Sequence, residues 1–157
     1  MRPPDSEDEV MFTTNELKPF NIFRWTFTPF VTVLLVILLL QPGEQSVTDT
    51  GIMAGPPSLA RDLFFITGHI VWFLLLVILW RWTLATRFHP LSALVLAVLI
   101  AFILGTSTEF AQRLIPGRGA TLVDWLSNVA GILFGVLVVR WYELRKGTAP
   151  EIQRLNN

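Results

Sequence analysis

Between residues 105 and 135 the chain sets Gly105, Glu109, Gln112, Arg118, Asp124, Asn128, Gly131 and Gly135 into otherwise apolar surroundings. Glu109 and Gln112 are three apart and share a helix face. Arg118 stands in a Pro116-Gly117-Arg118-Gly119 turn, from which its guanidinium can fork onto a carboxylate or a phosphate. Upstream, His69 follows Asp62 by seven residues, which places the two on nearly the same helical face. This set could do two kinds of chemistry. Arg118 could hold an anionic head group while the carboxylates and amides orient it. Alternatively, Glu109 or Asp124 could act as a general base, with His69 as acid–base partner and Arg118 as a clamp for an oxyanion or phosphate.

Plainer roles compete with each of these. Arg118 could bridge to Glu109 or Asp124 simply to close a helix hairpin. Thr121 and Asp124 fit a capping pattern at a helix start, where a carboxylate also complements the helix dipole. Asn128 could bond across helices, and His69 could be a satisfied packing histidine. His89, beside Pro90, reads as an exposed loop residue. The sequence has no Gly-x-Ser-x-Gly elbow, no His-Glu-x-x-His and no Asp-rich metal motif. It also has no cysteine, which excludes disulfides, thiol catalysis and Cys-based zinc or iron–sulfur sites. No metal and no cofactor is expected.

The elements that must position these residues are read from apolar blocks. Of 157 residues, 52% are hydrophobic and 15% charged, where a soluble domain carries charge on about a quarter of its residues. Twelve basic and twelve acidic residues balance, so nothing favours nucleic acid as a partner. The apolar residues fall into four blocks, about 22–40, 63–80, 91–112 and 122–141. They predict an all-α integral membrane protein, a four-transmembrane-helix bundle over 21–143 with an N-terminal segment 1–20 and a tail 144–157. In the first block, Phe30 to Leu40 would span only about 16 Å, but adding Ile22 to Pro29 brings it to roughly 28 Å. Arg24 would then snorkel at one end, and Pro29 could kink the helix. A cleaved signal peptide is the competing reading of this block. Against it stand a long acidic leader, Asp5-Ser6-Glu7-Asp8-Glu9, and the lack of a small-residue cleavage site close after Leu40.

Basic residues set the expected direction. Arg2, Lys18, Arg24, Arg81, Arg87, Arg140, Arg145, Lys146 and Arg154 fall on one side, and only Arg61, Arg113 and Arg118 on the other. Both termini are therefore expected in the cytoplasm, with Trp80, Trp82, Trp141 and Tyr142 at the cytoplasmic boundary. Asp62, His69, Glu109, Gln112, Asp124 and Asn128 then gather toward the outer face. A charge in mid-membrane costs on the order of 2.5–3.5 kcal/mol, so such groups should point inward and find partners. Gly131 and Gly135 form a small-xxx-small pair that permits close helix approach, expected to carry Asp124 and Asn128 toward helix three.

The stretch from Gly105 to Gly135 resembles the hallmark segment of VanZ-like proteins. That pattern has a Glu and a Gln three apart, a Pro-x-Arg turn, then an Asp, an Asn and two glycines on the next helix. Glu109, Gln112, Pro116, Arg118, Asp124, Asn128, Gly131 and Gly135 fit it in order and spacing. Family members usually carry an Asp four residues before the His of helix two. Phe65 occupies that position here, with Asp62 as the substitute one turn earlier. The resemblance implies a cell-envelope protein of the bacterial cell membrane, whose best-known relative confers low-level resistance to teicoplanin, and it implies no catalytic mechanism. Three functions remain open at this point. They are binding of a lipid-linked or lipoglycopeptide ligand in an outward-facing polar pocket, an intramembrane enzyme acting on a lipid phosphate or acyl group, and an assembly subunit with a membrane protein partner. Membrane lipids are partners in all three.

Overall fold

A computed structural model of the chain describes residues 19–40, 59–115 and 122–155, with the side chains of 60, 61 and 147–155 left aside. Four helices make up the described residues, and none of these forms a strand: α1, Pro19–Leu39; α2, Leu59–Leu84; α3, Pro90–Gln112; α4, Leu122–Leu155. Each contains an apolar stretch of 21 to 25 residues. At 1.5 Å per residue these reach about 32–38 Å, enough to cross a hydrocarbon layer of about 30 Å. The four spans fit the apolar blocks, but their ends run further. α1 begins at Pro19 rather than 22, α2 covers 59–84 rather than 63–80, and α4 continues past 141 to Leu155. The stretch expected as a separate tail is therefore helix through most of its length.

Local chemistry explains several of these ends. Proline opens both α1 and α3, at a position where its missing N–H is no loss. His89 before Pro90 has φ −56° and ψ 146°, the extended conformation that a following proline imposes. This sets the sharp turn between α2 and α3. At the end of α2, Arg24 of α1 donates from Nη1 to the Trp82 carbonyl at 3.2 Å. That carbonyl belongs to the last turn, which the helix itself leaves without a partner. Arg24 thus caps its neighbour instead of simply reaching for the interface. Trp80, expected at the boundary, turns its indole N–H inward to Thr32 Oγ1 at 3.1 Å.

Packing follows membrane rules, in which small residues and hydrogen bonds replace a hydrophobic drive between helices. α2 is the hub and packs most extensively against α4, then α3. Phe73 and Val77 of α2 are fully enclosed. On α3, Ala93, Ala97, Ala101 and Gly105 are all buried at four-residue spacing, a ladder of small residues that lets α2 come near. α1 buries only Thr28, Thr32, Leu35 and Leu39, one narrow stripe. Its Thr28 hydroxyl meets the Thr83 hydroxyl of α2 at 2.7 Å. Its remaining faces expose Phe20, Phe23, Phe27, Phe30, Val33 and Ile37, as a lipid-facing helix should.

The tightest contact lies between α4 and α2. A Cβ built on Gly131 would collide with the Ile70 carbonyl oxygen and come within 3.0 Å of its Cα. One built on Gly135 would lie 2.9 Å from Val77 Cβ and 3.0 Å from the Leu74 carbonyl. These glycines therefore seat α4 on α2, while Asn128, as the sequence led us to expect, still reaches Glu109 of α3. A glycine pair dictates how close two helices come, not which helix is the neighbour. Gly131→Ala must push backbone from backbone, an overpacking cost of about 1–3 kcal/mol. Gly68→Ala meets nothing within 4 Å and should be neutral or slightly stabilising. Thermal unfolding of the two variants in detergent checks this contrast.

Candidate functional site: a polar relay across three helices

Asn128, in the second turn of α4, is 2% exposed. Its amide links two helices at once. Nδ2 donates to Glu109 Oε1 of α3 at 3.0 Å, and Oδ1 lies 2.7 Å from His69 Nδ1 of α2. Glu109 and His69 are themselves buried. The bonding directions constrain one another. The amide nitrogen Nδ2 faces the Glu109 carboxyl, and the Asn128 oxygen, which only accepts, faces His69. His69 then carries a proton on Nδ1, and in the neutral ring Nε2 keeps the lone pair.

The surroundings make room for this arrangement. A Cβ on Gly105 would meet Phe73 Cε1 at 3.0 Å and Asn128 Cβ at 3.5 Å. The absent side chain is what admits both the Phe73 ring and Asn128. Other hydroxyls nearby are satisfied locally and so do not compete. Thr108 donates to the Gly105 carbonyl at 3.0 Å, and Ser127 to the Val123 carbonyl at 2.7 Å.

Beside Glu109 a cleft of about 400 Å³ opens at the bundle surface between α3 and α4. Thr106, Glu109, Phe110, Arg113, Leu122 and Trp125 line it. Trp125 forms one wall. It donates to Thr106 Oγ1 at 3.4 Å and meets Phe102 edge to face at 6.2 Å. Arg113, at the end of α3, lies over the Phe110 ring at 5.3 Å. Of these lining residues, sequence reasoning had singled out only Glu109. A signal existed: Thr106, Glu109, Phe110 and Arg113 stand at i, i+3, i+4 and i+7, one stripe of a helix.

The other expected site residues divide. Gln112 is buried, but its Nε2 donates to the Leu39 carbonyl at 2.7 Å. It closes the last turn of α1 and does not join Glu109. Asp62 does not reach the cluster either: it is exposed in the first turn of α2, where Leu59, Leu63 and Phe64 are exposed as well. Sharing a face with His69 therefore does not bury it. Phe65, at the place of the family's Asp, is half-buried against Phe64. Asp124 is half-buried in the first turn of α4, where its charge complements the helix dipole. Arg118, with Pro116 and Gly117, lies outside the described residues. Among the described residues no three His, Asp or Glu converge as metal ligands.

The VanZ/LLP1 family model matches residues 7–143. The chain belongs to the VanZ/LLP1 family. The match takes in α1, α2 and α3 whole and α4 as far as residue 143, so it reaches every helix of the bundle. No curated protein and no solved structure matches the chain. Within this VanZ/LLP1 bundle, a chain of contacts runs from His69 through Asn128 to Glu109.

Two expectations follow. The neutral His69 ring should be the Nδ1–H tautomer, which nitrogen chemical shifts of labelled protein report. An Nε2–H form would require the Asn128 amide reversed and its oxygen against the Glu109 carboxyl. Gln112→Leu should cost about 0.6–1.7 kcal/mol, the range for an interhelical hydrogen bond in a membrane. Hydrogen exchange should place that loosening at the end of α1 and leave α2 and α4 protected.

Proposed function

We propose that this VanZ/LLP1 protein resides in the bacterial cell membrane with both termini in the cytoplasm. On the outer side, the cleft between α3 and α4 would bind the polar part of a lipid-linked or lipoglycopeptide ligand without converting it. One observation carries this reading. A carboxylate that is 5% exposed, Glu109, is held by the Asn128 amide while it borders a cleft open at the bundle surface. Ionisable groups among membrane helices are costly and are retained where they serve a pathway or a ligand. Apolar walls from Phe110, Leu122 and Trp125 suit the hydrocarbon part of an amphiphile, and Arg113 at the rim suits an anionic group. The excess of basic residues on the opposite side supports the outward direction. Family membership supports the envelope setting, and lowered susceptibility to teicoplanin-type glycopeptides is the phenotype we expect.

The relay also favours a second reading, an intramembrane enzyme acting on a lipid phosphate or acyl group. Asn128 fixes the His69 ring so that Nε2 could take a proton, and Glu109 stands at the far end of the same chain. Turnover of labelled lipid-linked precursors by purified wild-type protein, lost in Glu109→Gln, would favour the enzyme. Absence of turnover in both would remove it.

Glu109→Gln keeps the side-chain shape and removes the charge. Bonds to charged groups carry roughly twice the weight of neutral ones, so ligand affinity should fall about tenfold or more. Cells expressing the variant at wild-type levels should lose glycopeptide tolerance. Unchanged tolerance and binding with normal protein levels would contradict the binding reading.

A further inference from the structure

The end of the bundle opposite the relay holds a second concentration of charge that the proposed function does not use. It comprises the start of α1, the turn from α2 to α3 and the later part of α4. Its described side chains include six cations, Arg24, Arg81, Arg87, Arg140, Arg145 and Lys146, against one carboxylate, Glu143. Arg81 and Arg140 both pair with Glu143, at 2.6 and 3.8 Å. Each of the other four lies over an aromatic ring. Arg145 stands 4.0 Å from the Trp141 ring centre and Lys146 4.8 Å from that of Tyr142. Arg87 lies 5.0 Å from the Trp25 ring. Arg24 sits between the Phe20 and Trp82 rings, at 4.5 and 4.4 Å.

Two of these cations belong to the junction of α1 with the end of α2 and the turn that follows it. Arg24 and Trp25 are neighbours on α1, and Trp25 carries Arg87 on its face while donating from Nε1 to Thr86 Oγ1 at 3.0 Å. Arg24 is fixed by the Trp82 carbonyl on the same turn of chain. Two guanidinium groups, neither paired with a carboxylate among the described residues, therefore stand where α1 meets the end of α2 and the α2–α3 turn, Arg24 against Phe20 and Trp82 and Arg87 against Trp25. Aromatic rings hold guanidinium groups by their faces, which leaves in-plane N–H groups to donate outward. Indole rings at a helix end belong at the head-group level.

We propose that this junction is a binding site for an anionic phospholipid head group, whose phosphate oxygens accept from Arg24 and Arg87. The unneutralised charge favours a head group with net negative charge, such as phosphatidylglycerol. A choline head group brings its own cation to the same place and is disfavoured. The occupant is a lipid and not an acidic protein, because the cations sit on interfacial rings at the depth of head groups.

The test is native mass spectrometry of the full chain released from micelles that contain equal phosphatidylglycerol and phosphatidylcholine. Phosphatidylglycerol should be retained preferentially. Arg87→Gln, at an exposed turn position, should reduce that retention about fivefold, the weight of one cation near a charged surface. Arg87→Lys should keep most of it, and Lys146→Gln on α4 should leave it nearly unchanged. Equal retention of both lipids would overturn the proposal. So would equal losses in Arg87→Gln and Lys146→Gln, which would mean diffuse attraction, or an acidic protein co-purifying in place of lipid.

Discussion

The architecture depends on how closely α4 can lie against α2. With hydrogen in place of a side chain at Gly131 and Gly135, α4 comes up against the Ile70 and Leu74 carbonyls and the Val77 side chain. That approach, combined with the missing side chain at Gly105, leaves a space bounded by three helices at the level of Asn128. The Asn128 amide fills it. It accepts from a ring nitrogen on one side and donates to a carboxylate on the other. Packing and polarity are thus one constraint, since the glycines bring the helices near enough for the bonds and the bonds give the buried polar groups partners. Unpaired, those groups would be costly in hydrocarbon.

Much of this was legible in the residues. Four apolar blocks gave four helices, and the polar interruptions at His69, Glu109 and Asn128 marked the residues that meet. Apolar content also explains where the boundaries were misplaced. Residues such as Arg81, Trp82 and Thr83 end an apolar run without ending a helix, because at an interface they can stay helical and bond to a neighbour. α4 likewise extends past Trp141 and Tyr142 into charged sequence.

Partner choice was not legible. The spacing of Gly131 and Gly135 announced close contact but could not name α2, and the common face of Glu109 and Gln112 could not show that Gln112 serves the Leu39 carbonyl. The seven-residue spacing of Asp62 and His69 gave a shared face but no information on how far the packed bundle extends along it. Arg113 was hidden for a similar reason. Its relation to Glu109 was visible at i, i+4, but its place at a cleft depends on where Trp125 and Leu122 of another helix come to rest. Sequence periodicity orients a helix about its own axis, and tertiary packing decides what each face meets.

The central claim is that His69 and Glu109, on different helices, are joined energetically through Asn128. Its most direct test is a double-mutant cycle on thermal stability, His69→Ala with Glu109→Gln, measured once with Asn128 present and once in an Asn128→Ala background. Coupling of about 0.5 kcal/mol or more that appears only when Asn128 is present is the predicted result. Additive effects in both backgrounds would contradict it.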